Sequence, residues 1–249
     1  MTDEARARRP QGRERPEQPA AAERRERRSA ARHAIRSRDP RPAIAPIESP
    51  WQQDRARAEQ RAIKRDAVIL TAARAFRERG YHNTSLDDIA ARLSVTKPTL
   101  YHYVTGKEQI LFECFRTGLD LIRAAFVEVQ GSRATGRERL MLVLRRYLEA
   151  VTSDFGWCMV RAEDQDLGAE MSRQIGALKT EIDRGLRRLI EEGVADRSIA
   201  PCDPKMAAFA LAGSLNWISH WYRADDSLSP DEIADRFLSV FEQGLKPRG

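Results

Sequence analysis

Cysteine and histidine are scarce in these 249 residues: three cysteines (Cys114, Cys158, Cys202) and four histidines (His33, His82, His102, His220). The cysteines are odd in number and far apart, which argues against a disulfide framework and fits a reducing compartment. No Cys or His pair has metal-ligand spacing. No apolar run approaches the roughly 18 residues of a membrane span, and no apolar segment follows Arg8-Arg9 to make it an export signal. Sustained strand alternation, an internal repeat, a dinucleotide fingerprint, a Walker loop, an HExxH and a nucleophile elbow are all missing. Glu191-Glu192 reads as a solvated helix face rather than a catalytic carboxylate pair. The expectation is a cytoplasmic all-α protein that is not an enzyme, without cofactor, metal or membrane contact.

What is present is charge, unevenly spread. Residues 1–55 carry a net +5, residues 56–110 a net +4 and residues 111–249 a net −3. A basic first half on a mildly acidic second half suggests a polyanion held at one end. Residues 1–55 are rich in Arg, Ala, Pro and Glu, with only Ile35, Ile44, Ile47 and Trp51 as large apolar residues. Such a segment buries too little surface to offset its ordering entropy, so it is expected to be a disordered basic extension. It is either a solvated tail or an accessory phosphate-binding arm.

From about Gln60 the periodicity is helical. Ile63, Ala67, Leu70, Ala73 and Phe76 mark one face of a first helix, with Gly80 as its stop. Ser85 to Asp88 forms a capping box that opens a helix of about eight residues with Leu86, Ile89 and Leu93 inward. A turn at Ser94-Val95 leads to a third helix opening near Thr96–Pro98, where proline is tolerated in the first turn. Thr105-Gly106 breaks the chain, and Lys107 opens a long fourth helix with Leu111, Phe115, Leu119, Ile122 and Phe126 in step. Further helices are expected over about 137–153, 155–164, 168–194, 203–223 and 230–246. Asp203-Pro204 and Ser229-Pro230-Asp231-Glu232 make the last two starts unusually clear.

Helix, tight turn, short helix is how a chain presents side chains to the major groove. Leu100 and Val104 anchor the third helix. That leaves Thr96, Lys97, Pro98, Thr99, Tyr101, His102 and Tyr103 on or near its outer surface. Hydroxyls and ammoniums donate to phosphate oxygens and reach base edges. Thr84 and Ser85 at the second helix start, and Lys107 at the fourth, are candidates for flanking phosphates. The competing readings are a core aromatic for Tyr101, a surface cover for His102 and a solvated first-turn lysine for Lys107.

The run Thr84-Ser85-Leu86-Asp87-Asp88-Ile89-Ala90, then Val95 through Tyr103, then Gly106-Lys107-Glu108, resembles the DNA-binding region of the TetR family of bacterial repressors. The likeness covers roughly residues 62–112. It implies a three-helix DNA-binding domain (56–106), a larger helical ligand-binding and dimerisation domain (107–249), and a homodimer on double-stranded DNA with a palindromic operator. By motif position, Thr96, Lys97, Pro98, Thr99, Tyr101 and Tyr103 would face DNA, and Thr84, Ser85 and Lys107 would contact phosphate. Two positions depart from the family pattern: a phenylalanine is commoner at Val104, and a small residue at Pro98.

Met206 to Ile218 is apolar nearly all round and reads as a helix buried on two sides. Ile233, Phe237, Val240, Phe241 and Leu245 form a broad stripe on the last helix. In a TetR-like protein these two helices pair with their twofold mates, which makes Phe209, Ile233, Phe237 and Phe241 dimer candidates; intramolecular core is the alternative. Phe126, Leu144, Tyr147, Trp157, Arg161, Trp217 and Trp221, with Met159, are candidates for lining a ligand cavity, against plain core packing. The stretch Leu215-Asn216-Trp217 to Trp221-Tyr222-Arg223 is similar to members controlling fatty-acid or sterol-type catabolism, which implies an acyl-CoA or lipid-like effector. The rival function is a DNA-dependent interaction or nucleoid-associated protein of the same fold without an effector.

Overall fold

The computed structural model describes residues 50–162, 164–223 and 227–247, with side chains from Ala56 onward. Nine α-helices follow one another among them: α1 (Pro50–Arg79), α2 (Leu86–Arg92), α3 (Lys97–Leu100), α4 (Lys107–Val129), α5 (Gly136–Thr152), α6 (Gly156–Arg161), α7 (Ala169–Ala195), α8 (Pro204–Trp221) and α9 (Pro230–Leu245). No strand occurs among the described residues. The fold is all-α, as the periodicity predicts. α1 starts earlier than expected, inside the stretch read as an irregular extension. The rest of that stretch, residues 1–49, lies outside the described residues.

Local chemistry explains most boundaries. Gly80 takes φ 84° and donates its amide to Phe76, the left-handed stop that a side chain would resist. Ser85 and Asp88 form the predicted capping box on α2, and Ser229 and Glu232 form the one on α9. Asp203 accepts the amides of Lys205 and Met206 at the start of α8. A further box, Thr135 with Glu138, opens α5. Its first amides are also held from outside, Gly136 by Asp196 at 2.7 Å and Arg137 by the Ser198 hydroxyl at 3.0 Å.

The inward face of α1 matches the sequence toward its C-terminus, where Ala73 and Phe76 are buried and Leu70 is half-buried, but not toward its start. Ile63 is 54 % exposed and Ala67 is exposed, whereas Val68, Ile69, Ala72, Ala73, Ala75 and Phe76 are buried. Three alanines in the buried stripe carry little hydrophobic signal, so the larger off-stripe residues set the apparent phase. α4 is the central strut. Its predicted stripe Leu111, Phe115, Leu119 and Ile122 is buried, and it packs on α5, α6 and α7. Buried Glu113 ties it to α1 through Arg65 at 2.5 Å, with Arg116 at 2.7 Å on its other oxygen.

α8 is buried on one side rather than two. Ala208, Leu211, Leu215 and Ile218 face the core, while Met206, Phe209 and Trp217 are each more than half exposed. The cysteines are free, as expected. Cys114 and Cys158 are both buried; the neighbouring Cys158 thiol and burial hold Cys114 well above the ordinary thiol range, and its Sγ donates to the Ile69 carbonyl at 3.7 Å.

Candidate nucleic-acid interface

α2 and α3 pack on each other across a turn whose tightness comes from Ser94, at φ 54°. Val95 closes the turn by donating its amide to Ala90 at 3.0 Å. α3 is a single turn, continued by amide bonds from Tyr103 and Val104 back to Leu100. Leu100 and Val104 are 1 % and 2 % exposed and anchor it, as predicted. The segment ends at Gly106, the N-cap residue of α4.

This anchoring turns one side of the segment outward. Thr96, Pro98, Tyr101 and His102 are exposed, and Thr99 is half-buried. The Thr96 and Thr99 hydroxyls are 2.9 Å apart, so they form one paired polar unit. Tyr101 is 52 % exposed, which rules out the core-aromatic reading. Lys97 donates to Asp87 at 2.9 Å, and that hydrogen bond raises its pKa, keeping the ammonium charged. Tyr103 is half-buried against the core, with its ring beside α1 rather than fully outward.

The flanking candidates are less uniform. Thr84 is a correction: it is 1 % exposed, and its hydroxyl donates to the carbonyls of Gly80 at 2.9 Å and Ala75 at 3.3 Å. It locks the end of α1 to the start of α2 and has no hydroxyl proton left for phosphate. Ser85 is exposed, but its hydroxyl is held within the capping box at 2.5 Å from Asp88 Oδ2. Lys107 donates to the Tyr81 carbonyl at 3.0 Å, with its Nζ 4.1 Å from the Tyr81 ring centroid. That cation–π seat explains a lysine where the helix dipole disfavours one. Tyr81 itself, edge-on to Phe76, has its phenol pKa raised by burial.

The residues expected to line one ligand cavity lie in separate places. Tyr147 borders a partly open cavity of about 290 Å³ between α4, α5, α6, α7 and α8, with Leu119, Met159, Ile182, Leu186 and Asn216, and with exposed Phe209 at its edge. Its hydroxyl donates to Asn216 Oδ1 at 3.0 Å, and burial pushes its pKa up to about 12, so the phenol stays neutral. Trp157 and Arg161 instead line a cleft of about 640 Å³ beside Arg77 and Glu78 of α1 and His220 of α8. Phe126 lies in a groove along α4 and α7, and Leu144 is wholly buried in the core. Trp217 is 63 % exposed and stacks on His220 at 4.6 Å, and Trp221 is also exposed. The reason is the side of α8 that faces in: Leu215 and Ile218 do, and the tryptophans do not.

Of the dimer candidates, Ile233 is a correction, being 2 % exposed inside its own chain. Phe237 and Phe241 are half-buried, edge-to-face at 6.0 Å, and Phe209 is exposed. Val240 beside them is 67 % exposed. Sequence reasoning missed Lys179 and Asp183 at the cavity beside Tyr147. It also passed over Asn216 as a polar group, although a lone amide within an apolar helix is a readable signal. It likewise missed Asp154, which binds two arginines of α1.

Comparison with known proteins is consistent with this geometry. The family described as "Bacterial regulatory proteins, tetR family" matches residues 68–114, and "Tetracyclin repressor-like, C-terminal domain" matches residues 133–245. AibR, solved in complex with isovaleryl coenzyme A and operator DNA, is 32 % identical with a TM-score of 0.63, covering 71 % of this chain and 96 % of AibR. The transcriptional repressor KstR2 of Rhodococcus jostii (strain RHA1) is 26 % identical over 185 residues, 73 % of this chain and 91 % of its own length. The ketosteroid transcriptional regulator KstR2 of Mycobacterium tuberculosis shares the fold at a TM-score of 0.68 and 22 % identity, covering 74 % and 96 % of the two chains. No helix among the described residues is long and apolar enough to cross a membrane. The chain belongs to the TetR family, and is a DNA-binding regulator of transcription rather than an enzyme.

Proposed function

We propose that this protein is a ligand-responsive repressor that binds a palindromic operator as a homodimer and is released by a small hydrophobic, acyl-CoA-like effector. Residues 56–106 are the DNA-binding domain and residues 107–249 the effector and dimerisation domain. The observation that carries the reading is the outward surface of the α3 segment. Thr96, Pro98, Thr99, Tyr101 and His102 stand clear of a fold that buries Leu100 and Val104 behind them. Lys97 and Tyr103 flank that surface. Ser85 and Lys107 act from its margin, Lys107 as a charge already oriented by Tyr81.

The homodimer reading rests on the uncovered apolar face of α8 and α9. Phe209 and Trp217 are exposed on one helix, Val240 on the other, with Phe237 and Phe241 beside it. An isologous pairing there would set two readers one helical turn of DNA apart, roughly 34–36 Å. The effector reading rests on the partly open cavity beside Tyr147. Its volume of about 290 Å³ is roughly twice that of an engineered cavity that holds benzene. It therefore suits a short or compact acyl group, with Tyr147 and Asn216 as its polar pair. The neighbour AibR was solved with isovaleryl coenzyme A, which points the same way. Release requires the ligand to bind the DNA-incompetent conformation more tightly, because equal affinity shifts nothing. Leu119 places the central strut α4 at the cavity wall, so α4 is the element such a ligand moves.

Footprinting on the DNA upstream of the protein's own coding sequence, with and without isovaleryl-CoA and longer acyl-CoAs, is the test. A protected palindrome that is lost on adding one acyl-CoA is expected. No protected palindrome at moderate salt would overturn the operator reading. Protection indifferent to every acyl-CoA would favour the regulator without an effector.

A further inference from the structure

The core-facing stripe of α1 changes chemistry partway along the helix. Arg57, Arg61, Lys64, Val68, Ala72 and Ala75 follow one another at three- and four-residue steps, so they share one side of the helix. From Val68 onward this side is buried in the core. Toward the N-terminus the same side runs past the end of α3 and becomes cationic. There Arg57, Gln60, Arg61 and Lys64 border a cleft of about 570 Å³ whose other wall is His102 and Tyr103. No acidic residue is among the described residues lining it. Glu59 and Asp66 fall on the opposite side of the helix by the same periodicity.

We propose that this stripe is a second DNA-binding element, a clamp on the sugar-phosphate backbone beside the bases that the α3 segment faces. The inference rests on the DNA-binding reading above and extends it to residues that precede the family match, which begins at residue 68. Three observations carry it. The cleft is continuous with the proposed reading surface through His102 and Tyr103. The charged side chains that line it among the described residues are cationic, the sign complementary to DNA. Arg61 also donates to the His102 carbonyl at 3.0 Å, which fixes the two walls relative to each other. A guanidinium has five N–H donors, so one spent on a carbonyl leaves others for phosphate oxygens. From Arg57 to Lys64 the helix rises about 10 Å, a length of about three base-pair rises measured along the duplex axis. Phosphate contacts set register and carry no sequence information, so the clamp strengthens binding to any duplex.

The experiment is the salt dependence of binding by the full chain, read by fluorescence anisotropy on the upstream duplex and on a scrambled duplex of equal length. The triple variant Arg57→Gln, Arg61→Gln, Lys64→Gln is compared with a charge-keeping triple, Arg57→Lys, Arg61→Lys, Lys64→Arg. Each lost phosphate contact lowers the slope of log affinity against log salt by about 0.9. With three cations lost from each protomer of the dimer, the neutral triple is expected to lose about four to five from the slope on both duplexes, and the charge-keeping triple about none. An unchanged slope in the neutral triple overturns the clamp, even if affinity falls, since that pattern means only that α1 props up the α3 segment. A wild-type chain that binds neither duplex overturns the DNA-binding reading itself, and so is distinguishable from failure of the clamp.

Discussion

Asp154, in the turn between α5 and α6, holds Arg74 of α1 at 2.8 Å, and its other oxygen takes Arg77 at 3.2 Å. One carboxylate thus fastens the helix that begins the proposed DNA-binding domain to the helices around the cavity beside Tyr147. The arginines are 54 % and 39 % exposed at their side chains, so the pairs contribute little to stability, about 0–1 kcal/mol. Their expected role is coupling. Asp154→Asn should leave operator affinity within about threefold, yet shrink the response to an effective acyl-CoA about tenfold, a coupling loss of about 1.4 kcal/mol. Anisotropy titrations with and without the acyl-CoA measure both quantities. A variant with the full wild-type response would remove Asp154 from the coupling path.

Close packing of two glycines makes a stability prediction. A Cβ on Gly136 would sit 2.2 Å from the Gly193 nitrogen and 2.4 Å from its Cα, where nothing flexible can yield. Gly136→Ala should cost about 1–3 kcal/mol through overpacking. Gly176 of α7 has nothing within 4 Å of its own Cβ position. Gly176→Ala should therefore stabilise by about 0.5–1 kcal/mol, the ordinary helix-interior preference. Urea denaturation of the two variants ranks them, and the reverse order would refute the packing account.

Ser94 is held at φ 54°, a region that costs an L-residue roughly 1–2 kcal/mol. Ser94→Gly should be neutral or stabilising by up to about 1 kcal/mol, since relief of strain is partly offset by glycine's larger unfolded-state entropy. Ser94→Val should destabilise by about 1 kcal/mol or more, because branching at Cβ makes positive φ worse. Thermal melts of both variants decide it.

Acid should weaken the helix starts together. Hydrogen bonds from the Ser85 hydroxyl and amide lower the pKa of Asp88, those from the Thr135 amide and hydroxyl lower that of Glu138, and those from the Ser229 amide and hydroxyl lower that of Glu232. A carboxyl depressed on folding stabilises fully above its unfolded value near 4 and loses that contribution as pH falls through the folded value. The triple variant Asp88→Asn, Glu138→Gln, Glu232→Gln should be less stable than wild type at neutral pH. Its stability should also decline less steeply below about pH 4. Parallel acid-dependence curves, measured by urea midpoint across the acid range, would show that these caps are not the titrating groups.

Tyr101 has the plainest binding prediction. It is half exposed and lies outside the core cluster, so its removal should spare the fold. Tyr101→Ala should weaken operator binding by about 1–3 kcal/mol, the size of a good base contact. The sedimentation coefficient and helical circular dichroism should not change. Loss of dimer or helix content would refute the reading of Tyr101 as a DNA contact.

Helix order and most boundaries were legible in the sequence because the signals are local. The Ser85, Asp203 and Ser229 caps act within three residues, and the stop at Gly80 needs only its own backbone. Burial was less legible wherever it depends on a distant neighbour. Thr84 has the composition of a surface residue and is buried because the end of α1 folds over it. The start of the α1 face, at Ile63 and Ala67, was not legible because alanine gives almost no amphipathic signal. On α8, aromatics occur on both sides, and only the fold shows that Leu215 and Ile218 point inward while Trp217 does not. The proposed reading surface was legible because Leu100 and Val104, four apart, specify its hidden side.

The single-turn length of α3 has an evolutionary consequence. So short a helix has no stability of its own, since helix nucleation is costly and propagation never begins. Its shape is borrowed from Leu100, Val104 and the arginine that grips the His102 carbonyl. The exposed side chain of Tyr101 is thereby relieved of packing, while Thr96, the N-cap residue, and Pro98, in the first turn, keep only a local part in the start of the helix. If those positions read DNA as proposed, mutation there can change operator preference with little cost to the fold, one residue at a time.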